Sequence, residues 1–361
     1  MTRIVFAIFI FLAAAPARAY RPAKNPHYKR KPSGAFGVSA STQPLVDAID
    51  RLDSGRWDPQ VKFQLELFAA EHGKTSEGYD PAAPPVAVVG FDDAAIWGDL
   101  GEFVFESLVE HAAFKFDEDW WKLVPLAYGR QRIRAAQEQF IDLPPTVWDA
   151  QPAYHQFWKY MLKSYQDSCK TVDRKDCRIY IARLLKGFSR DEAAAYARKV
   201  FEEEEIAPLG TREIRESSED QHPVRFRRGL RELPELKDLC VLLLKAGFEV
   251  WAVDLDAQPL LASYAATYGI NPAKTAGIRL PVFREKFTGK TEEPIPWRVG
   301  KVDAVVAALG RPPALVVGAS DGDRELLDYS GGLRLLLDRG NKPLRAYAEK
   351  RGWLIQPSFK P

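Results

Sequence analysis

The sequence predicts an α/β fold, a doubly wound parallel sheet interrupted by an inserted helical block, and three observations predict it. First, three largely apolar runs at residues 86–91, 248–253 and 314–318 are bounded by prolines, glycines and acids, as expected of strands covered on both faces of a parallel sheet. Second, each later run follows a helical pattern, "PELKDLCVLLLKAG" with its stop at Gly247 and "GKVDAVVAALG" with the breaker "RPP". That alternation builds parallel sheets. Third, residues 92–247 are mostly helical in pattern and rich in Trp, Phe, Tyr and charge, so they read as an insertion after the first strand.

The elements follow in order. "MTRIVFAIFIFLAAAPARAY" has a basic start at Arg3, an apolar run from Ile4 to Ala15, and Ala17 and Ala19 in a cleavage pattern, which predicts a signal peptide over residues 1–19 and an exported protein, periplasmic or secreted. The run is short of the roughly 20 residues a spanning helix needs, so no membrane span is expected after cleavage. Removal of Arg3 and Arg18 turns 51 basic residues into 49 against 49 acidic ones. A neutral body has no general attraction for nucleic acid. Residues 20–44, beginning "YRPAKNPHYKRKPSG", read as a basic disordered leader.

"LVDAIDRLDSGRWDPQVKFQLELFAAEHG" is helical in spacing with a turn at "DSGRWDP", and "TSEGYDPAAPP" breaks the chain before the first strand. In the inserted block, Trp120 and Trp121 are expected to pack inside it and the four glutamates of "FEEEE" to form a solvated face. Cys169 and Cys177 flank "KTVDRKD" and are expected to pair, leaving Cys240 free and buried in an apolar helix. The five histidines are scattered and no CxxC pair occurs, so no zinc site is expected.

In open parallel sheets the ligand crevice lies outside the carboxyl ends of the strands. Here those ends are "FDDAA" at 91–95, "DLDAQ" at 254–258 and "GASDGD" at 318–323, each carrying acid. One aspartate after a strand is readily explained as a helix cap. Three such ends together, with Lys301 on the helix before the third run, point to a cation or phosphate site.

These residues resemble the haloacid dehalogenase superfamily, in particular its phosphoserine-phosphatase-like branch with a helical cap inserted after the first strand. "LGRPPALVVGASDGDRELLDYSGGLRLLL" is similar to the branch's fourth motif, Lys301 falls at the third-motif lysine, and "AGFEVWAVDLDAQPLLASYAATYGINPAKTAGIRL" and "AIWGDLGE" match the second-motif region and the segment after motif one. The resemblance implies a core over residues 45–102 and 231–345, a cap over 103–230 and a C-terminal tail over 346–361. It also implies a phosphoric monoester hydrolase with Mg²⁺, an aspartate nucleophile and a second aspartate two residues on as general acid.

The motifs depart from that pattern. Aligned on Trp97, the nucleophile position holds Phe91 and the acid position Asp93, while Asp92 is one residue out of phase, which in extended backbone points its side chain the opposite way. Asp254 replaces the second-motif hydroxyl that hydrogen-bonds the phosphoryl group, and Ala319 replaces the fourth-motif Asn or Asp. A carboxylate at about 4 Å from a phosphate costs roughly 1 to 4 kcal/mol.

The reading that follows is a pseudophosphatase acting by binding, its partner a small phosphorylated molecule or a protein. The alternative is an active Mg²⁺-dependent phosphomonoesterase with Asp92, Asp93 and Lys301 catalytic, Asp254, Ser320 and Lys301 on the substrate, and Asp93, Asp321 and Asp323 on the metal; the altered motifs argue against Mg²⁺ retention. "GASDG" also fits a serine-hydrolase elbow, but the last histidine, His222, precedes Ser320, leaving that triad without its base.

Overall fold

The computed structural model describes residues 50 to 360 apart from residue 54. The expected signal peptide and basic leader lie outside the described residues. After α1 (Pro59–His72) comes β1 (Val86–Val89), then the small strand β2 (Ile96–Trp97) and α2 (Leu100–Glu110). The inserted block continues through α3 (Glu118–Trp121), α4 (Arg130–Gln137), α5 (Pro152–Thr171), α6 (Arg174–Arg183), α7 (Arg190–Ile206) and the hairpin β3 (Gly210–Ile214) and β4 (Val224–Arg228). The chain returns through β5 (Arg231–Glu232), α8 (Pro234–Lys245), β6 (Glu249–Ala257) and α9 (Gln258–Ala265). It ends with β7 (Thr275–Ile278), the hairpin β8 (Val282–Phe283) and β9 (Lys286–Phe287), α10 (Val299–Leu309), β10 (Leu315–Gly318), α11 (Arg324–Tyr329), β11 (Leu333–Asp338), α12 (Lys342–Arg351) and β12 (Leu354–Pro357).

Six strands form one sheet in the order β12-β11-β10-β1-β6-β7, and every pairing in it is parallel. The apolar run of β1 has its reason in this central place. Ala87 and Val89 belong to one hydrophobic core and Val86 and Val88 to another, so both faces of the strand are covered and period-two alternation disappears. The inserted block, entered directly after β1, stacks on the crevice end of the sheet through α2 and α6.

Of the expected tail over residues 346–361, the described residues 346–360 are not a tail. They complete α12 and supply β12, which pairs with β11 from Leu335↔Leu354 to Asp338↔Pro357. Four residues ending in proline carry little period signal, and proline is tolerated there because an edge strand leaves one side of its ladder unpaired. The glutamate run is also only partly solvated. Glu204 is buried, accepts the Gly229 N–H at 2.8 Å and pairs with Arg228 at 3.1 Å. The tryptophans behave as expected, both buried in the block, with Trp120 Nε1 donating to the Leu184 carbonyl at 2.9 Å. Cys169 and Cys177 are disulfide-bonded and Cys240 is free and buried. No helix among the described residues is long and apolar enough to cross a membrane.

Candidate functional site

The carboxyl ends of β1, β6 and β10 meet, and two buried ion clusters fill the space between them. The first belongs to the sheet domain. Lys301, in the first turn of α10, is 3% exposed; its Nζ lies 2.6 Å from Asp323 and 3.5 Å from Asp254. Burial alone would lower the lysine pKa, but Asp254 and Asp323 drive it up. Asp323 is held below the usual carboxylate range despite burial, by Lys301 and by the N–H groups of Ala319 and Ser320, each donating at 3.0 Å. Asp254 Oδ2 accepts the backbone N–H groups of Phe91 at 2.7 Å and Asp92 at 2.6 Å. Two successive N–H groups beside a lysine form an anion seat, and the protein's own Asp254 carboxylate sits in it.

The second cluster joins core to cap. Arg178, from α6, is 1% exposed and hydrogen-bonds Asp99 and Asp256, with Asp92 at 3.3 Å. Asp256 follows Asp254 by two residues on the irregular end of β6, where the register with β7 shifts between Val253 and Ala257. Asp99 caps α2 through the Glu102 N–H at 2.9 Å. Arg178, helped at Asp99 by the half-exposed Arg174, cannot neutralise all of these carboxylates and Glu102, which stands 3.8 Å away. Burial and the neighbouring acids Asp256, Asp99 and Asp254 accordingly push Asp92 well above its ordinary pKa, and burial carries Asp256 to about 7 against the pull of Arg178. Asp99, although buried, is held low by Arg178 and Arg174. Gly101 makes this approach feasible, because a Cβ there would stand 2.8 Å from Arg178 Nη2 and collide with Asp256. The cavity left in this seam, lined by Val104, Leu108, Arg178, Ile181, Asp256 and Leu260 among others, measures about 10 Å³, room for one water at most.

What decides the fold type is the joint arrangement: a cap inserted after a central first strand, acid-bearing loops at the ends of β1, β6 and β10, and the lysine of the helix before β10 buried among them. The fold is haloacid-dehalogenase-like. No family model matches the chain, and no curated protein does. Among solved structures, a conserved protein of unknown function from Anaerococcus prevotii DSM 20548 is 23% identical with a TM-score of 0.71, the match covering 85% of this chain and 93% of that one. A protein of unknown function from Bordetella pertussis Tohama I matches at 16% identity and a TM-score of 0.49, over 76% of this chain and 98% of that one. A probable phosphoserine phosphatase from Vibrio cholerae matches at 12% identity and 0.38, over 74% and 59%. At 23% identity the first of these similarities is one of fold, not of chemistry.

Within this dehalogenase-like frame the expected site residues separate. Phe91 leaves the crevice altogether and packs edge-on against Tyr264 and Tyr268, with ring centroids 5.8 and 5.2 Å away. The neighbouring position that faces Asp323 is Gly90, where a Cβ would lie 3.5 Å from Asp323 Oδ1. Neither position supplies a nucleophile. Asp92 turns to Arg178. Asp93 adopts φ 58°, a left-handed turn that aspartate tolerates, and its carboxylate stands 3.7 Å from both Arg227 and Arg339 at the crevice mouth. Arg339 closes over this loop, donating to the Asp93 carbonyl at 2.6 Å and lying 4.2 Å over the Trp97 ring. Ser320 Oγ donates to Asp323 at 3.0 Å and accepts the Gly322 N–H, and Asp321 is exposed and accepts from Asn341 at 2.7 Å.

The carboxylates of Asp93, Asp321 and Asp323 are therefore engaged with different partners and do not gather around a common point. Among the described residues, the acids that do converge are Asp92, Asp99 and Asp256, whose oxygens lie within 4.8 Å of one another. Carboxylate oxygens suit Mg²⁺ as donors, but Arg178 already serves as their cation, and Phe91 and Ala319 stand where the resemblance implies carboxylate or amide groups. The residues present do not fit the metal in the arrangement the motifs imply. Sequence reasoning missed Arg178, Arg339, Asp99 and Asp256. The two acids were visible in "GDLGE" and "DLDAQ", whereas nothing in "DCRIYIAR" marks Arg178 as a core-facing cation.

Proposed function

We propose that this chain is a dehalogenase-fold pseudophosphatase that has exchanged phosphoester hydrolysis for binding, and that its partner is a protein engaged by the closed cap and core. The observation that carries this is Asp254 in the anion seat, where its carboxylate takes the N–H donors of Phe91 and Asp92 and faces Lys301. A phosphoryl group would have to displace a buried carboxylate and then sit beside it. Attack on phosphorus also needs a free ionised oxygen, which Phe91 and Gly90 lack, while the Asp92 carboxylate is engaged by Arg178 and the Leu100 N–H and burial disfavours its charged form. Arg178 and the small seam volume leave no room for a phosphorylated metabolite. Export is part of the proposal, supported by the N-terminal pattern and by the Cys169–Cys177 bridge, which suits an oxidising compartment.

The test is phosphate release from a panel of phosphomonoesters with Mg²⁺ or chelator, alongside calorimetric titration with inorganic phosphate, for the wild type and Asp254→Ser. The wild type should neither turn over nor bind, and Asp254→Ser should bind phosphate without turnover. Metal-dependent release by the wild type that is abolished in Asp93→Asn would overturn the proposal in favour of the rearranged hydrolase.

A further inference from the structure

The residue preceding the buried arginine is a disulfide cysteine. Cys177 lies in α6 immediately before Arg178 and is bonded to Cys169 near the end of α5; only Val172 and Asp173 separate the two helices. Helix α6 has ten residues, too few to hold its place by helical propensity alone. Its N-terminal half is fixed by two devices, the cross-link to α5 and the ion pairs of Arg178 and Arg174 with Asp99, Asp256 and Asp92. Cys177 is fully buried, whereas Cys169 is only partly covered, so a small thiol can approach the bond from the Cys169 side.

We propose that the Cys169–Cys177 disulfide is a redox latch on the crevice: oxidised, it holds Arg178 among Asp92, Asp99 and Asp256; reduced, it lets α6 swing and the cap open over the β1 loop. A dithiol reductant transfers two electrons and two protons to the bond, leaving two cysteine thiols and its own cyclic disulfide. The ion pairs still favour the closed state after reduction, so the change is one in how often the crevice opens. A short-loop cross-link restricts the open ensemble on a scale that corresponds to about a 10- to 100-fold change in opening. The latch is independent of whether the crevice hydrolyses phosphate, since it is read from backbone exchange.

Hydrogen exchange on the full chain, oxidised and after dithiothreitol, follows the amides of Phe91, Asp92 and Leu100, whose acceptors are Asp254 and Asp92. Reduction should lower their protection by about 10- to 100-fold. The Cys169→Ser, Cys177→Ser double variant should match the reduced protein. Arg178→Lys, which keeps the charge but loses the two-pronged donor, should start with lower protection and respond less to reduction. Loosening confined to the α5–α6 joint, with the β1 loop unchanged, would overturn the latch and leave a local staple. Reducing the folded protein keeps the test open if the double variant does not fold.

Discussion

The two ion clusters of the crevice are built alike and balanced differently. Around Lys301 there are two carboxylates, Asp254 and Asp323, and all three groups come from the sheet domain. Around Arg178 there are four, Asp92, Asp99, Glu102 and Asp256, and the cations, Arg178 and its helper Arg174, come from the cap. In the first cluster backbone N–H groups share the excess charge, so Asp323 stays ionised. The second has fewer such donors, so protons must make up the difference and the pKa values of Asp92 and Asp256 rise. One cluster is held within the sheet domain by fixed N–H donors; the other is a protonation-sensitive joint between two layers.

Removing the joint's cation should have the largest effect. Arg178→Met leaves three buried acids facing one another and should cost about 3 to 5 kcal/mol in urea denaturation at pH 7. The loss should shrink at pH 5, where those acids more readily hold protons. An equal loss at both pH values would show that the two clusters are not distinct in this respect.

A smaller effect comes from crowding the same joint. Gly101→Ala places a methyl group against Arg178 and Asp256 and should destabilise by about 1 to 3 kcal/mol through overpacking. Its signature is loss of cap–core protection while the Lys301 cluster stays protected in hydrogen exchange.

The smallest effect is a slope. The folded-state pKa of Asp256 is raised to about 7, so the folded protein holds a proton there that the unfolded chain gives up. This contribution is full below the ordinary aspartate range and is lost as pH rises toward about 7. Glu106, also raised to about 7 by burial, adds to the same slope. Stability measured by denaturant between pH 4 and 8 should therefore fall less steeply with pH in Asp256→Asn than in the wild type. An unchanged slope would place the proton elsewhere in the cluster.

Much of the frame was legible in advance. The apolar runs of β1 and β10 declared buried strands, the helix before β10 announced Lys301, and the distance between Cys169 and Cys177 suited a bridge. Less legible were β11 and β12, because "LRLLLD" reads equally well as helix and "LIQP" is too short to show a period. Asp254 was recognised as a wrong charge for a phosphate site. That it would be the anion in the seat depended on β6 pairing directly beside β1, which brings Asp254 to the N–H groups of Phe91 and Asp92.

The sequence by itself determined the layer architecture, the insertion after the first strand and the placing of Phe91 at the end of that strand, because hydrophobic period, breaker residues and motif spacing are local properties of the chain. Only the tertiary structure decided which side chains fill the crevice. Arg178 reaches Asp99 across 79 positions and Asp92 across 86, and Arg339 reaches the Asp93 carbonyl across 246. Such pairings are set by how the cap closes on the sheet, and no local pattern encodes them.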